Sequence, residues 1–531
     1  MILTGEKIKG WRGDLAALGA GIMVPFSLAP YKVWLLGLLS AVILAFLLNR
    51  LSGKKSFLRS FVYGIGMYGA GASWVYVSIH DFGAASMVLA GLLTFIFVLG
   101  MAVVFALPFV VYSKYFSHTN TGLLFGFAAI WVLGEWLRSW LLTGFPWLYL
   151  GYAHIETWLS GWAPILGVFG LSFLALLSGV GVAWCAINLR NWRKQKSQIK
   201  ITSVLLTTAV VAFTVVLWLA GNLLQRVNWT SYDDADQVTV ALVQPNIPQD
   251  MKWQPIYRMH IMETLRELTA DYWGSDIIVW PEAAIPLMYH DAGFFIDENH
   301  QQAVESGTAL ISGILYDSID EVGQEETKYY NSIMGMGNAS GIYFKQRLVP
   351  FGEYVPLEQY LRGLIAFFDL PNSVIHSGPK NQNLLSTEKY AIATFICYEV
   401  VYPDLVVDYA KQSDIMITIS NDAWFGDSIG PKQHFQMAQM RALENGRYML
   451  RGTNTGISAI ISEKGQVLTK LPPFNQISAQ GKAYLTHGTT PFAKFGSLPI
   501  IMFCFSICLA LFVKNKLGRS QRFSEKEFLE K

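Results

Sequence analysis

One cysteine and two charged residues in the second half of the chain are of the types that nucleophilic catalysis needs. Cys397 follows the apolar run ATFI, and it is the only cysteine within residues 222–490. Glu282 lies in WPEAA, directly after the apolar run IIVW, and Lys345 lies in YFKQRLVPFGEYVP. A thiol near neutral pH needs a base to take its proton, and a cation favours the thiolate and a later oxyanion. Together the three residues could form a covalent catalytic centre.

Each of these residues also has an ordinary structural interpretation. A lone buried cysteine is commonly inert, Glu282 could begin a helix, and Lys345 could be a surface cation. The histidines of residues 222–490 stand in no recognisable Cys–His or zinc-ligand pattern, and we interpret them as surface or core residues. Glu282 has an apolar setting between Trp, Pro and Ala, which favours a carboxylate base. The sequence predicts neither a metal site nor a cofactor.

The elements that would position these residues belong to an α/β domain. Near-continuous apolar runs suit strands of a sheet that is buried on both faces. Such runs occupy residues 238–244, 277–280, 309–315, 391–396 and 415–420. Apolar residues at helical spacing lie between some of them, within 255–272 and 434–449. Alternating strands and helices predict a layered α/β domain.

The rest of the chain has the composition of a membrane protein. The 531 residues are 52% hydrophobic and 15% charged, whereas ordinary soluble domains are about 25% charged. Acidic residues are rare in residues 1–221, and about 20 apolar residues span a bilayer core. We predict eight spans, near residues 14–30, 31–48, 58–79, 85–112, 121–142, 163–189, 201–221 and 491–513.

The Lys and Arg residues predict how these spans are oriented. Short cytoplasmic loops are enriched in cations, and the basic sites all fall on one side if the chain crosses eight times. These sites are residues 7–12, 50–59, 114, 190–200 and 514–522. The first apolar run, after Lys7, Lys9 and Arg12, could also be a signal peptide, and we favour a retained span.

Four segments follow from these patterns. Residues 1–221 are predicted to form a transmembrane domain of seven helices, and residues 222–490 a catalytic domain outside the cytoplasm. Residues 491–513 would form the eighth helix, and 514–531 a cytoplasmic tail. The formal net charge of +2 gives no case for nucleic acid as a partner.

Three of these segments resemble the nitrilase superfamily. The resemblance lies in WPE at Glu282, YFKQRLVPFGE at Lys345 and CYE at Cys397, in that order along the chain. It implies an αββα sandwich with a Glu-Lys-Cys triad. The expected fold is therefore a polytopic α-helical membrane domain of eight helices joined to an α/β nitrilase-like sandwich.

Further segments resemble the apolipoprotein N-acyltransferase family, over nearly the whole chain. They are QPNIPQ at 244–249 with Trp253, NDAWFG at 421–426, EWLR at 135–138 and GFPW at 144–147. Lys252, just before Trp253, lies in a stretch that we interpret as less constrained.

The second resemblance implies an acyltransferase of the bacterial inner membrane whose catalytic domain faces the periplasm. Cys397 would attack the sn-1 ester of a phospholipid, phosphatidylethanolamine, and form a thioester. The acceptor would be the N-terminal α-amine of the diacylglyceryl-cysteine of an apolipoprotein, in the last step of lipoprotein maturation. The membrane itself is thus a partner, and the resemblance implies no cofactor.

The same resemblance assigns roles to individual residues. Glu282 would be the base, while Lys345 and the backbone N–H of Tyr398 would hold the oxyanion. Glu353 could orient Lys345 or the triad, and Glu399 could position the substrate amine or the neighbouring loop. The aromatic residues expected to line the acyl entrance or bind substrate are Trp253, Tyr398, Trp424 and, at the outer membrane interface, Trp147.

Two charged residues within a predicted span need their own explanation, because charges inside a membrane are costly. Glu135 and Arg138 lie three residues apart on one helix face. They could form an internal ion pair that holds spans together, or they could contact a lipid headgroup.

Two other functional classes stay open from the residues alone. A membrane-bound amidase of nitrilase type would share the triad but would need neither eight spans nor a lipid opening. A transporter or sensor with an exported binding domain would work without Cys397 and would need a polar path through the spans. The scarcity of intramembrane charges argues against such a path.

Overall fold

The computed structural model describes residues 10–83, 85–194, 201–319, 327–350, 352–354 and 375–529. Among the cations used for orientation, Lys7, Lys9, Lys196 and Lys200 lie outside this part of the chain. The chain divides into two compact units. The first unit consists of Met1–Ser73, Leu92–Val227 and Ser497–Lys531, and the second of Trp74–Gly91 and Asn228–Gly496.

The first unit is built from apolar helices. In chain order the helices of the membrane-like half are Trp11–Ser27, Trp34–Leu48, Gly53–Gly71, Met87–Tyr115, Phe127–Arg138, Ala163–Lys194, Ile201–Leu224 and Leu498–Leu529. A helix therefore overlaps each of the eight predicted spans. Four stretches among the described residues are long and apolar enough to cross a membrane: Met87–Tyr115, Trp158–Arg190, Ser203–Leu224 and Leu498–Leu517. The number eight stays a prediction.

Glycines allow two of these helices to approach closely. Trp11–Ser27 packs on Gly53–Gly71, and Gly21 of the first faces the carbonyl of Tyr63 in the second. A Cβ atom at Gly21, or at Gly66, would collide with the backbone of the facing helix. Small residues at helix contacts are typical of membrane proteins, where dispersion contacts rather than the hydrophobic effect hold helices together.

The second unit contains two six-stranded sheets. The strands are β1 Thr230–Ser231, β2 Gln237–Gln244, β3 Ile277–Val279, β4 Ala309–Asp317, β5 Tyr329–Gly337, β6 Ile342–Phe344, β7 Leu385–Ser386, β8 Ala391–Ile396, β9 Ile415–Ser420, β10 Met449–Thr453, β11 Ala459–Ile461, β12 Val467–Lys470, β13 Ile477–Tyr484 and β14 His487–Gly488. The first sheet has the order β13-β2-β3-β4-β5-β6, the second has the order β12-β11-β10-β9-β8-β7, and β1 pairs with β14.

Each sheet has a parallel centre and antiparallel flanks. Strands β2, β3 and β4 run parallel, as do β8, β9 and β10, and the outer pairs are antiparallel. The five predicted strands correspond to β2, β3, β4, β8 and β9. The helix predicted over 434–449 is wrong at its end, because Gly430–Asn445 stops at Gly446 in the left-handed conformation and Met449 begins β10.

The two sheets pack face to face, with helices on their outer sides. A Cβ atom at Gly452 of β10 would lie 2.7 Å from a methyl carbon of Val279 in β3, so the sheets are in direct contact. Helices Arg258–Thr269 and Gly293–Ser306 bury Leu265 and Phe295 in the core of the first sheet. Pro403–Ala410 and Gly430–Asn445 pack against the second sheet. The layers are therefore helix, sheet, sheet, helix.

The segment Trp74–Gly91 is the longest stretch at which the structural division departs from the predicted domains. It lies within the predicted transmembrane domain, residues 1–221, but it belongs to the second unit. There Trp74 packs edge-on against Phe425 at 4.7 Å, and the Ser78 hydroxyl donates to the carbonyl of Trp424 at 2.7 Å. Residues 222–227 and 491–496 also fall in the other unit from the predicted one.

Candidate active site

The three candidate catalytic residues each follow the end of a strand. Glu282 lies just beyond β3, Lys345 directly follows β6, and Cys397 directly follows β8. Strands β3 and β6 belong to one sheet and β8 to the other, so the packing of the two sheets brings together residues that are far apart in the chain. Both Glu282 and Lys345 act electrostatically on the Cys397 thiol.

Glu282 is held by contacts to both of its carboxylate oxygens. The amide nitrogen of Asn331 donates to Oε1 at 2.7 Å, and the ammonium of Lys345 lies 3.6 Å from the same oxygen. The backbone N–H of Asn421 donates to Oε2 at 2.7 Å. The side chain is buried, so these contacts fix the carboxylate in one orientation.

Lys345 is a buried ammonium between two carboxylates. Its Nζ donates to Oε1 of Glu353 at 2.9 Å, and its second carboxylate neighbour is Glu282. Burial alone would lower the pKa of Lys345, but Glu353 and then Glu282 outweigh it and hold the pKa well above its usual value. Lys345 therefore keeps its charge at neutral pH and can donate to a developing oxyanion.

Glu353 is also held at both of its carboxylate oxygens. Its Oε1 also accepts from Asn331 at 3.0 Å, and its Oε2 accepts from the backbone N–H of Val349 at 2.8 Å. The Asn331 amide therefore bridges Glu282 and Glu353. Asn331 was not predicted; the only signal in the sequence is a polar residue within the strand β5.

Cys397 has a strained backbone and a protonated thiol. Its φ is +50°, a left-handed conformation that is uncommon for a residue with a side chain. Burial raises the pKa of the thiol, the Glu282 carboxylate raises it further, and Lys345 opposes both. The expected stabilisation of the thiolate by Lys345 is thus outweighed. A thiol in this state would need a proton acceptor before it could attack a carbonyl carbon.

Glu399 ties the Cys397 turn to the segment after β6. Its Oε2 accepts from the backbone N–H of Ile396 at 2.8 Å, and its Oε1 accepts from the backbone N–H of Gln346 at 2.7 Å and the hydroxyl of Tyr343 at 2.9 Å. Burial raises the pKa of Glu399 to about 7, although these donors oppose the shift. These contacts come from strands β6 and β8 and from Gln346 after β6, and the neighbouring Tyr398 packs edge-on against Tyr402.

Lys252 lies against the same site, and the interpretation of its stretch as less constrained is wrong. The side chain is only 3% exposed, and its Nζ donates to the backbone carbonyl of Glu282 at 2.9 Å. Burial lowers the pKa of Lys252 to about 8, against the opposing effect of Glu282. No short-range pattern marks this residue, because its partner is 30 residues away in the chain.

A second buried network lies behind Cys397. The His434 Nε2 is 3.0 Å from the carbonyl oxygen of Cys397, and its Nδ1 is 3.1 Å from Oδ1 of Asp422. Arg451 donates to Oδ2 of Asp422 at 2.8 Å. Burial would raise the pKa of Asp422, but Arg451 and His434 outweigh it and hold the pKa well below its usual range. His434 was interpreted only as one of several surface or core histidines.

The structure places the predicted aromatic residues in different surroundings. Trp253 and Trp424 are partly exposed in the second unit, where Trp424 packs edge-on against Phe82 at 5.7 Å. Trp147 belongs to the first unit, and its side chain is fully buried there. Tyr398 is also buried.

Glu135 and Arg138 are both buried in the first unit, and the first of the two alternatives, an ion pair between them, is not formed in the described structure. Glu135 Oε1 accepts from the Trp131 indole and from the backbone N–H of Leu150, each at 2.9 Å. Arg138 donates to the Tyr68 hydroxyl and, at 3.1 Å, to the carbonyl of Trp147. Its guanidinium also lies over the ring of Tyr149.

No cluster of three or more His, Cys, Asp or Glu side chains that could hold a metal occurs in the described ranges.

Comparisons with known proteins match both halves of the chain. The family described as apolipoprotein N-acyltransferase N-terminal domain matches residues 20–181, and carbon-nitrogen hydrolase matches residues 239–480. The apolipoprotein N-acyltransferase of Pseudomonas syringae pv. tomato is 42% identical over 505 residues, which cover 95% of this chain and 96% of that protein. The one of Pseudomonas aeruginosa PAO1 is 41% identical over 519 residues, covering 97% and 98%. The one of Photobacterium profundum is 36% identical over 533 residues, covering 96% of each chain.

Proposed function

The chain belongs to the apolipoprotein N-acyltransferase family, and from this premise we propose the reaction that its site carries out. It is an acyltransferase with a carbon-nitrogen hydrolase domain, and its general activity is lipoprotein N-acylation. We propose that the acyl chain passes through a thioester on Cys397. The observation that carries this proposal is the packing of three buried residues at strand ends. Lys345 lies 3.6 Å from Glu282, and Glu282 accepts from the N–H of Asn421. Asn421 directly follows β9, which pairs with the strand β8 that ends at Cys397.

In the first half-reaction the acyl chain moves from a phospholipid to the enzyme. Glu282 takes the proton of the Cys397 thiol as Sγ bonds to the carbonyl carbon of the sn-1 ester. The resulting oxyanion is held by the Lys345 ammonium and the backbone N–H of Tyr398. The ester C–O bond then breaks, and the leaving lysophospholipid oxygen receives the proton from Glu282. Phosphatidylethanolamine is the proposed donor.

In the second half-reaction the neutral α-amine of the diacylglyceryl-cysteine attacks the thioester. Glu282 takes a proton from the attacking amine, the C–S bond breaks, and the thiolate of Cys397 recovers a proton from Glu282. The product is an amide on the apolipoprotein and a free thiol on the enzyme. A base that is held at both oxygens serves both half-reactions without moving.

The supporting residues position these groups. Glu353 holds Lys345 through its 2.9 Å contact, and Glu399 holds the Cys397 turn through backbone N–H groups. Partly exposed Trp253 and Trp424 are proposed to line the acyl entrance, where apolar side chains would keep water from the thioester. For Trp147, which is buried, we propose a supporting role within the first unit rather than direct contact with substrate.

The proposed location is the bacterial inner membrane, with the second unit in the periplasm. Eight spans would place the basic loops 50–59 and 190–200 in the cytoplasm and residues 222–490 outside it. Both substrates are anchored in lipid, and removing a chain from the bilayer costs about 0.8 kcal/mol per CH₂. An enzyme mounted in the membrane leaves most of each chain where it is.

Intact mass spectrometry tests the proposed nucleophile. The full-length protein in detergent is mixed with phosphatidylethanolamine, and the expected result is the mass of one acyl chain on Cys397. Cys397→Ser should carry no acyl chain, because a carboxylate base forms an alkoxide far less readily than a thiolate. An acylated Ser variant, or a wild-type protein that stays unmodified, would reject the thioester.

A second measurement tests the base and the orientation separately. Glu282→Gln keeps the shape of the side chain and should slow thioester formation by about 100-fold or more.

Accessibility tags in residues 50–57 and 190–200 should be cytoplasmic. Periplasmic labelling of either loop would reject the eight-span arrangement without bearing on the chemistry.

A further inference from the structure

The proposed oxyanion donor and the contact with His434 belong to the same peptide group. The carbonyl of Cys397 and the N–H of Tyr398 are the two ends of one planar amide. The His434 Nε2 lies 3.0 Å from that carbonyl oxygen. A carbonyl oxygen can only accept, so Nε2 must carry a hydrogen and donate it.

The Nδ1 side of the His434 ring faces both a donor and an acceptor. Its Nδ1 lies 3.1 Å from Nη2 of Arg451 and 3.1 Å from Oδ1 of Asp422. Burial first, and then Arg451, lower the pKa of His434, although Asp422 and the Cys397 carbonyl oppose the shift. The hydrogen on Nε2 follows from the Cys397 carbonyl acceptor, and it is present whether the ring is neutral with Nε2 protonated or fully charged.

The network behind the ring is rigid. Asp422 accepts from Arg451 at 2.8 Å and from the Ser420 hydroxyl at 2.7 Å. A Cβ atom at Gly456 would collide with the Asp422 carboxylate, so only glycine leaves room for it. Asp422, His434 and Arg451 are all buried, and none of them can relax towards water.

We propose that His434 is a positioning residue for the oxyanion site: by donating to the Cys397 carbonyl, it orients and polarises the peptide whose N–H at Tyr398 binds the oxyanion. This inference rests on the proposed thioester mechanism and adds a residue to it. His434 does not touch substrate, and it acts only through the peptide.

Two physical effects support this role. A hydrogen bond accepted at one end of an amide polarises the other end, which makes the N–H a stronger donor. In addition, Cys397 has φ +50°, a conformation that persists only where its surroundings hold it. His434 contacts the carbonyl of Cys397 itself, and Glu399 accepts from the N–H of the preceding residue, Ile396. The turn is therefore held from both sides.

A matched pair of variants separates the two nitrogens of the ring. His434→Gln places an amide N–H near the position of Nε2 and can still reach the Cys397 carbonyl. His434→Asn is one bond shorter, so its amide replaces Nδ1 beside Asp422 and Arg451 and leaves the carbonyl without a donor. Both variants keep a polar side chain in the network, which protects the fold.

Two reactions of Cys397 are measured in each variant and in the wild type. Acylation by phosphatidylethanolamine, followed by intact mass, passes through an oxyanion. Alkylation by iodoacetamide displaces iodide without forming one, so it reports only the reactivity and accessibility of the thiol. Loss of a whole oxyanion donor costs about 100- to 1000-fold in rate, and a weakened donor should cost less.

The expected result is a split between the two reactions. His434→Asn should acylate about 10- to 100-fold more slowly, with the loss in kcat rather than KM, while its alkylation stays within about 2-fold of wild type. His434→Gln should recover most of the acylation rate. Equal acylation rates of His434→Asn and the wild type would overturn the inference, and so would a parallel loss of acylation and alkylation. A wild-type protein that alkylates but never acylates would instead overturn the proposed function.

Discussion

The two units both bury charged side chains, but they satisfy those charges in different ways. In the first unit, Glu135 and Arg138 are each bound by neutral groups: an indole, a hydroxyl, backbone groups and aromatic faces. In the second unit, the ammonium of Lys345 lies between Glu282 and Glu353, next to a thiol. In the first arrangement, the fixed dipoles of neutral groups stabilise each charged side chain. In the second arrangement, side chains of opposite charge contact one another directly.

The difference separates a structural use of buried charge from a chemical one. Neutral partners can satisfy an isolated ion, but they offer no group that gains or loses a proton at neutral pH. A cation between two carboxylates stays charged and keeps a carboxylate available as a base beside the nucleophile. Each of the following four experiments alters one charged side chain in one of the two units.

The largest effect is expected for Lys345→Met. This change removes the proposed oxyanion cation and leaves the buried Glu282 and the half-buried Glu353 without their cationic partner, so acylation of Cys397 should fall by at least about 1000-fold. Breaking a buried pair should also cost about 3–5 kcal/mol of folding free energy. Intact mass and thermal unfolding measure the two effects. Lys328→Met, which removes an exposed lysine, is the control, and near-normal acylation by the Lys345 variant would contradict the comparison.

Glu135→Leu tests the structural side. It leaves the Trp131 indole and the Leu150 N–H without an acceptor, each of which should cost about 1–3 kcal/mol. Glu135→Gln keeps one oxygen for both donors and should stay within about 1 kcal/mol of wild type. Unfolding in detergent gives the two values. If Gln proves as damaging as Leu, the charge itself matters, and a lipid headgroup becomes the better explanation.

Glu399→Gln should have an intermediate effect. The carboxylate only accepts, and a Gln side chain must turn its NH₂ towards the N–H of Ile396 or towards the donors at Gln346 and Tyr343. One unsatisfied donor pair should cost about 1–3 kcal/mol and loosen the Cys397 turn. Melting temperature and acylation rate should fall together. A slower rate with an unchanged melting temperature would indicate instead that Glu399 meets the substrate amine.

The smallest effect is a pH dependence from Lys252. Its folded pKa of about 8 lies below the ordinary 10.5 of an unfolded chain. Between these values the unfolded chain binds more protons, so stability rises with pH through this window, by at most about 3 kcal/mol. Lys252→Met should lack that rise. Melting curves of both proteins from about pH 7 to about pH 11 give the difference. Identical slopes of stability against pH would show that folding does not lower the pKa of Lys252.

Sequence patterns were informative about elements and about residues next to them. The five apolar runs identified five of the strands, and the motifs around Glu282, Lys345 and Cys397 identified residues that the structure brings into one site. These features are local, because the hydrophobic period and the residues at a strand end can be read within a few positions. The helix end at Gly446 was missed because a left-handed glycine inside a helical pattern does not by itself mark a stop.

The residues that complete the site were missed for a common reason. Asn331 is a polar residue within a strand, Lys252 ends the short helix Gln249–Lys252, and His434 is one histidine among several. Their importance lies in contacts with residues 30 to 49 positions away in the chain. Such contacts depend on how two sheets and their loops pack.

The sequence by itself determined the class of protein: an apolar, charge-poor half, an α/β half with one thiol, and the residue types of the proposed triad. Those properties follow from composition and local periodicity, which need no knowledge of distant contacts. Only the tertiary structure decided the protonation of the thiol, the dispersal of the charges on Glu135 and Arg138, and the polar networks around Cys397. Each of these depends on burial and on distances of about 3 Å between atoms, and both are set by packing rather than by order along the chain.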